Sequence, residues 1–305
     1  MRIINADNYL HLDGCVVALG NFDGVHIAHQ KLINKCVEIA RKNNLHSVVY
    51  TFSKHPKEIL GSKVELLTLN AEKEKLFDKM GVDILIYQDP NLEFLDISPE
   101  VFVDMIIQKL SPKAIVVGQH YMFGRNAVGD IELLKKIAIK HNVDVCVLSL
   151  LEKSGEVVSS SLIREMISNG DIEKANQLLG REFELNGVIK HGKQLGTQMG
   201  IPTANFDLQQ TKVVPQFGVY ACKIAVDGEE CNGVANIGLK PTFNGNAPLV
   251  EVHLFDKSGD FYGKNASVKL LAFIRNEIKF ENVELLKKQI LFDVCKVKEY
   301  FSFNT

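Results

Sequence analysis

The first half of the chain alternates short, almost wholly apolar runs with longer amphipathic stretches, and few folds accept that order. Cys15 to Leu19 (CVVAL), Ser47 to Phe52 (SVVYTF), Ile84 to Tyr87, Ala114 to Val117 and Val143 to Leu148 read as strands. His29 to Lys42, Ala71 to Met80, Pro99 to Leu110 and Ile131 to His141 carry apolar residues at helical spacing. Strands that are apolar at successive positions are buried on both faces. Strands joined through helices are parallel, because a tight turn cannot return the chain to the same end of a sheet. The pattern predicts a mostly parallel sheet covered by helices on both faces. Ser98 is the expected N-cap of the third helix, with Pro99 at its first position. Two short helices follow. One runs from about Ser161 to Ser168 and stops at Asn169-Gly170; the other has Asp171 as N-cap and stops at Leu179-Gly180.

The second half reads differently. Phe183 to Lys190, Gly218 to Val226, Glu230 to Ile237, Leu249 to Phe255 and Ala266 to Ile274 are strand-like. Turn signals such as Asp227-Gly228 and Asn244-Gly245 separate them. Only Val283 to Phe301 has helical periodicity. This predicts a small antiparallel β-barrel closed by a C-terminal helix. At about 150 residues per domain, a chain of 305 residues makes two domains. The boundary is expected just after the second short helix, giving 1–181 and 182–305.

A net charge of -2 provides no basic field for nucleic acid or anionic lipid, so local groups must hold any anionic ligand. No run of about 20 apolar residues is present, and the opening MRIINADNYLHLDG lacks the apolar core of a secretory signal. Nucleic-acid and membrane partners are therefore not expected, and oligomeric state is not legible. The cysteines, Cys15, Cys36, Cys146, Cys222, Cys231 and Cys295, form no C-x-x-C pair. Reduced, mostly buried thiols in a cytoplasmic protein are expected, without a zinc site.

In an open parallel sheet, ligands bind beyond the carboxyl ends of the strands. There the segment GNFDGVHIAHQ, Gly20 to Gln30, joins the first of these strands to its helix. His26 and His29 share a face at the helix start, where unpaired N–H groups and the positive dipole end suit phosphate. Two imidazoles can donate hydrogen bonds there and stabilise charge that builds on an α-phosphate as pyrophosphate leaves. For two histidines alone, a helix cap beside a packed ring is the competing explanation. In the second half, VIKHGKQLGTQMGIPTAN runs from Val188 to Asn205 with Gly192, Gly196 and Gly200 at every fourth position. Such glycines let backbone N–H groups approach a phosphate, and Lys193 adds a cation. No G-K-[ST] ends the loop, so it is not a Walker A sequence. The Thr203 hydroxyl and the Asn205 amide oxygen are hard ligands suited to Mg²⁺ beside ATP phosphates.

These segments carry a resemblance. Gly20 to Gln30, with Gly20, Asn21, Phe22, Asp23 and Gly24 ahead of the histidines, resembles the G-x-F-D-G-x-H-x-G-H motif of the nucleotidyltransferase superfamily. Ser159, Ser160 and Ser161 open SSSLIR, which resembles the S-S-T-x-I-R motif that accompanies it, and Arg164 can fork onto phosphates. TFSKHP (Thr51 to Pro56) and VVGQHYMFG (Val116 to Gly124) look like segments of bacterial FAD synthetases, and imply that His55, Phe123 and Gly124 lie on the flavin side. The P-T-A-N stretch resembles the riboflavin kinases, as do FGVYA, GVANIG, EVHLFD and FIRNEIKF further on. That resemblance implies a Mg-ATP site at Thr203 and Asn205, Glu251 as catalytic base, and Arg275 and Phe280 towards the flavin. Together the motifs, in family order, are similar to those of the bifunctional riboflavin kinase and FAD synthetase. They imply a Rossmann-like nucleotidyltransferase domain ahead of a kinase barrel, with riboflavin, FMN, FAD and ATP as ligands. The chain departs from the family at Ala28, where Gly is usual, and at His120 and Met122, which replace acidic and basic residues. These departures leave open a riboflavin kinase with a weak or inactive first domain. A non-catalytic flavin sensor is the alternative from another class.

Overall fold

The computed structural model describes residues 1–7, 12, 14–153, 155–191, 202–209, 211–242, 245–257 and 259–303. It forms two compact units, Met1–Ser160 and Ser161–Thr305.

The first unit is built on a six-stranded parallel sheet. Its strands are β1 (Arg2–Asn5), β2 (Cys15–Leu19), β3 (His46–Phe52), β4 (Ile84–Gln88), β5 (Pro112–Gly118) and β6 (Asp144–Leu148), in the spatial order β1-β4-β3-β2-β5-β6. Helices α1 (Ile27–Lys42), α2 (Pro56–Ile59), α3 (Asn70–Lys79), α4 (Leu92–Leu95), α5 (Pro99–Leu110) and α6 (Ile131–Ala138) connect them. After β6, the two-residue strands β7 (Glu152–Lys153) and β8 (Glu156–Val157) pair antiparallel as a separate small sheet. Strand order reverses beside β2, so the β2–α1 loop opens at the switch point where such sheets bind ligands. Every residue of β2 is buried. Cys15, Val17 and Leu19 join the core on one face, and Val16 and Ala18 join that on the other. This is period-two alternation with both faces covered. Ser98 caps α5 by accepting from Val101 N at 3.3 Å. The strand β1 and the one-turn helices α2 and α4 have too little periodicity to read from sequence.

The second unit starts within helix α7 (Ser160–Ser168) and continues through α8 (Ile172–Leu179). The sequence places both helices with the first domain. In the structure α8 packs on β9 (Phe183–Val188) and β14 (Asn265–Asn276). Asn176 Nδ2 donates to Leu270 O at 2.8 Å, and Asn176 Oδ1 accepts from Phe183 N at 2.7 Å. Gly180 ends α8 in the left-handed region, as expected. Asp171 stands at the N-cap, but its side chain makes no cap bond. With β10 (Thr203–Asp207), β11 (Gly218–Val226), β12 (Glu229–Thr242) and β13 (Gly245–Leu254), these strands form a six-stranded antiparallel sheet, β10-β13-β12-β11-β14-β9. Its edges meet at one bridge, Lys190 with Asn205, where Lys190 N donates to Asn205 O at 2.7 Å. Helix α9 (Val283–Phe303) packs against β11, β12 and β14.

All six cysteines are free thiols. Cys15, Cys36 and Cys222 are buried, Cys146 and Cys231 half-buried, and Cys295 exposed. Burial pushes the Cys15 and Cys36 thiols up to about 12, so neither is a thiolate at neutral pH.

Candidate active sites

The β2–α1 loop is unusual backbone held in place by its surroundings. Phe22, Gly24 and Val25 take φ values of 50°, 85° and 40°. Left-handed backbone at a bulky and a β-branched residue persists only where neighbours over-determine it. The determinants are visible. The Asp23 carboxylate accepts from Leu67 N at 3.0 and 3.1 Å, from Thr68 N at 3.0 Å and from the Thr68 hydroxyl at 3.3 Å. Gly24 N donates to Thr68 Oγ1 at 2.8 Å, and Ser160 Oγ donates to Asp23 O at 2.8 Å. Asn21 O accepts from Thr51 Oγ1 at 3.1 Å and from Lys73 Nζ at 3.4 Å. Gly20 must lack a side chain, because a Cβ there would fall 2.8 Å from the Phe22 ring.

His26 is the N-cap of α1 and accepts from His29 N through Nδ1 at 3.4 Å. An acceptor Nδ1 leaves the neutral ring's proton on Nε2. The His29 ring stacks on His26 at 3.6 Å between centroids, and Phe22 meets it edge-on at 5.3 Å. The cap and the packed ring, the competing explanation in the sequence, are both present. Ala28 lies in the first turn of α1, half-buried. Arg164 sits half-buried on α7, whose buried side is Ile163, Met166 and Ile167. Ser159 is half-buried and Ser161 exposed.

His55 caps α2, its Nδ1 accepting from Lys57 N at 3.2 Å. Phe123 is a core residue, stacked on Tyr121 at 5.6 Å. Gly124 has φ 72°, and a Cβ there would meet Pro99 at 2.7 Å. His120 and Met122 are exposed.

In the second unit the decisive feature is register. Across β10 and β13, Thr203 pairs with His253 and Asn205 with Glu251. Across β13 and β12, Glu251 pairs with Asn236. Directly opposed residues share a sheet face, so Thr203, Asn205, Glu251, His253 and Asn236 form one polar face. The intervening Ala204, Phe206, Val252, Ala235 and Ile237 are all buried in the core. Asn205 is 7% exposed, and its Oδ1 is buried without a hydrogen-bond partner among the described residues. His253 Nδ1 lies 3.0 Å from Pro202 O. The glycine loop positions Gly192, Lys193, Gly196 and Gly200 lie outside the described residues. No group of three or more His, Cys, Asp or Glu could hold a metal among the described residues. Mg²⁺ beside phosphates takes one or two protein oxygens, and an orphaned buried amide oxygen next to the Thr203 hydroxyl and opposite a carboxylate fits that need.

Arg275 is committed elsewhere. Its Nε and Nη2 donate to Asp293 of α9 at 3.0 and 2.6 Å, and Nη1 to Asn276 O at 2.8 Å. Phe280 is half-buried beyond β14.

The sequence reasoning missed Thr51, Leu67, Thr68, Lys73 and Asn236. One signal was available for Lys73. It lies on the apolar stripe of α3 four residues before Phe77, where a charge is out of place.

Two family models match the chain: FAD synthetase over residues 9–162 and riboflavin kinase over residues 179–301. The bifunctional riboflavin kinase/FMN adenylyltransferase of Bacillus subtilis (strain 168) is 36% identical over 94% of this chain and 92% of its own length. That of Escherichia coli (strain K12) is 35% identical over 96% and 94%. A crystal structure titled as a macrolide-efflux protein from Streptococcus pneumoniae superposes with a TM-score of 0.90 at 30% identity, over 98% of this chain and 99% of that one. Among the described residues, no helix is long and apolar enough to cross a membrane. With both halves matched in order and over nearly its full length, the chain belongs to the bifunctional riboflavin kinase/FMN adenylyltransferase family.

Proposed function

We propose that the two activities of the family divide between the two sites just described. In the second unit Glu251 accepts the proton of the riboflavin primary hydroxyl as the hydroxyl oxygen attacks the γ-phosphorus of ATP and ADP leaves. The observation that carries this is the register that sets Glu251 opposite Asn205. Thr203 and Asn205 would hold Mg²⁺, which when bound neutralises charge on the transferring phosphates. Gly192, Lys193, Gly196 and Gly200 are assigned to the phosphates of the same ATP. Arg275, tied to Asp293, orders the strand end ahead of Phe280 on the flavin side.

In the first unit a phosphate oxygen of FMN attacks the α-phosphorus of a second ATP and pyrophosphate leaves. His26 and His29 donate to the oxygens that gain charge, and Gly20, Asn21, Phe22, Asp23 and Gly24 form the turn that receives the nucleotide. Asp23 acts through that turn, since its carboxylate is spent on Leu67 and Thr68. Ser159 and Ser160 are the phosphate ligands assigned to this unit from the second motif. His55 faces the flavin, whereas Phe123 and Gly124 shape the segment from within the core. Both reactions belong in the cytoplasm, where riboflavin, ATP and Mg²⁺ meet.

Glu251→Gln is expected to abolish FMN formation and leave FMN-to-FAD conversion intact, and His29→Ala to do the reverse. Chromatographic separation of FMN and FAD after incubation with riboflavin or FMN, ATP and Mg²⁺ measures both. Loss of both half-reactions in a folded protein from either change would refute the two-site assignment.

A further inference from the structure

Helix α3 turns Lys73 and Phe77 fully inward, and Lys73 is only 4% exposed. An ammonium in that position has lost its hydration, which is costly unless the charge is used or matched. Its one hydrogen bond among the described residues is the long one to Asn21 O, the carbonyl that also accepts from Thr51. It makes no contact ion pair among the described residues. Asp23 in the loop and Glu58 on α2 act on it through space. Glu58 in turn has a buried Oε1 with no hydrogen-bond partner among the described residues. The positive charge is therefore neither dispersed in water nor cancelled by contact. It is bonded to the turn that precedes the paired histidines.

We propose that Lys73 is a positioning residue for adenylyl transfer. Its buried ammonium pins the Asn21 carbonyl, and through it the left-handed turn at Phe22 and Gly24. It also adds a fixed positive charge to the backbone that receives the nucleotide phosphates. The inference rests on the assignment of adenylyl transfer to this loop.

A merely structural role makes a different prediction for stability. Burial lowers the ammonium's pKa from the usual lysine range, while Asp23 and Glu58 oppose that shift. A lysine that holds its proton less tightly when folded destabilises the fold while charged, and that penalty is relieved as pH rises through its lowered pKa. A neutral side chain of similar length should then leave stability unchanged or raise it.

The test uses the full-length enzyme, with its kinase half-reaction as internal control. Lys73→Met should melt at or above the wild-type temperature and form FMN within about twofold of the wild-type rate, yet lose about 100-fold in kcat/KM for FMN-to-FAD conversion. Lys73→Arg, which keeps the charge, should recover roughly tenfold of that loss. A folded Lys73→Met enzyme that makes FAD within about threefold of wild type overturns the inference, since loss of such a stabilising group costs far more. So does one that melts lower and loses both half-reactions together, because the charge would then serve the fold. A wild-type enzyme that makes FMN but no FAD would instead sink the adenylyl-transfer assignment, and this inference with it.

Discussion

Asn205 carries two duties that pull in opposite directions. Its backbone carbonyl completes the barrel bridge to Lys190, and its side-chain oxygen is buried with nothing among the described residues to bond. Leaving such an acceptor unpaired costs about 1–3 kcal/mol. Asn205→Leu keeps the shape and the backbone bond. It should raise the unfolding free energy by about 1 kcal/mol and abolish FMN formation, with FAD formation from FMN unchanged. Denaturant unfolding beside product analysis would show whether stability and activity trade in this way. At this scale most of the candidate residues were legible. Thr203, Asn205, Glu251, His26 and His29 are all recognisable by residue type and motif. Thr68 and Lys73 were not, because their importance lies in what they bond to: Asp23 and Gly24 for one, Asn21 for the other. A threonine 44 residues from Gly24 has no local pattern that ties it to the loop.

Elements succeed or fail by the same logic. Helix α5 and strand β11 have the bounds the sequence predicts, since capping and apolar period are local properties. Strand β10 was read only as a motif-bearing stretch, and its pairing with β13 is what brings Asn205 to Glu251. Helix α9 was expected from periodicity alone, and its attachment was not. Asp293, 3% exposed as a side chain, takes a forked ion pair from Arg275 of β14 and a further bond from Gln289 at 2.9 Å. Removing one partner of such a pair strands the other charge. Asp293→Ala should therefore destabilise the second unit by about 3 kcal/mol, read as a lowered denaturation midpoint.

Over the whole chain, the point at issue is where one unit ends. The sequence ends the first domain at residue 181, after the two short helices, whereas α8 buries Ile172, Ala175, Leu178 and Leu179 and packs on β9 and β14 of the second unit. A fragment of residues 161–305 should fold and form FMN, and one of residues 182–305, lacking α8, should melt at a clearly lower temperature. Thermal melts of the two fragments decide between the two boundaries, and equal stability would favour the later one. The amino-acid sequence by itself determined the succession of the longer helices and the apolar strands, the parallel and antiparallel character of the two sheets, and the residue types at both candidate sites, because period, caps and turns act over a few neighbouring positions. Only the tertiary structure decided the register that opposes Asn205 and Glu251, the clasp of Thr68 and Asp23 on the β2–α1 loop, and the burial of Lys73 behind Asn21. Those contacts join residues far apart in the chain, and their energy exists only once the core has brought them together.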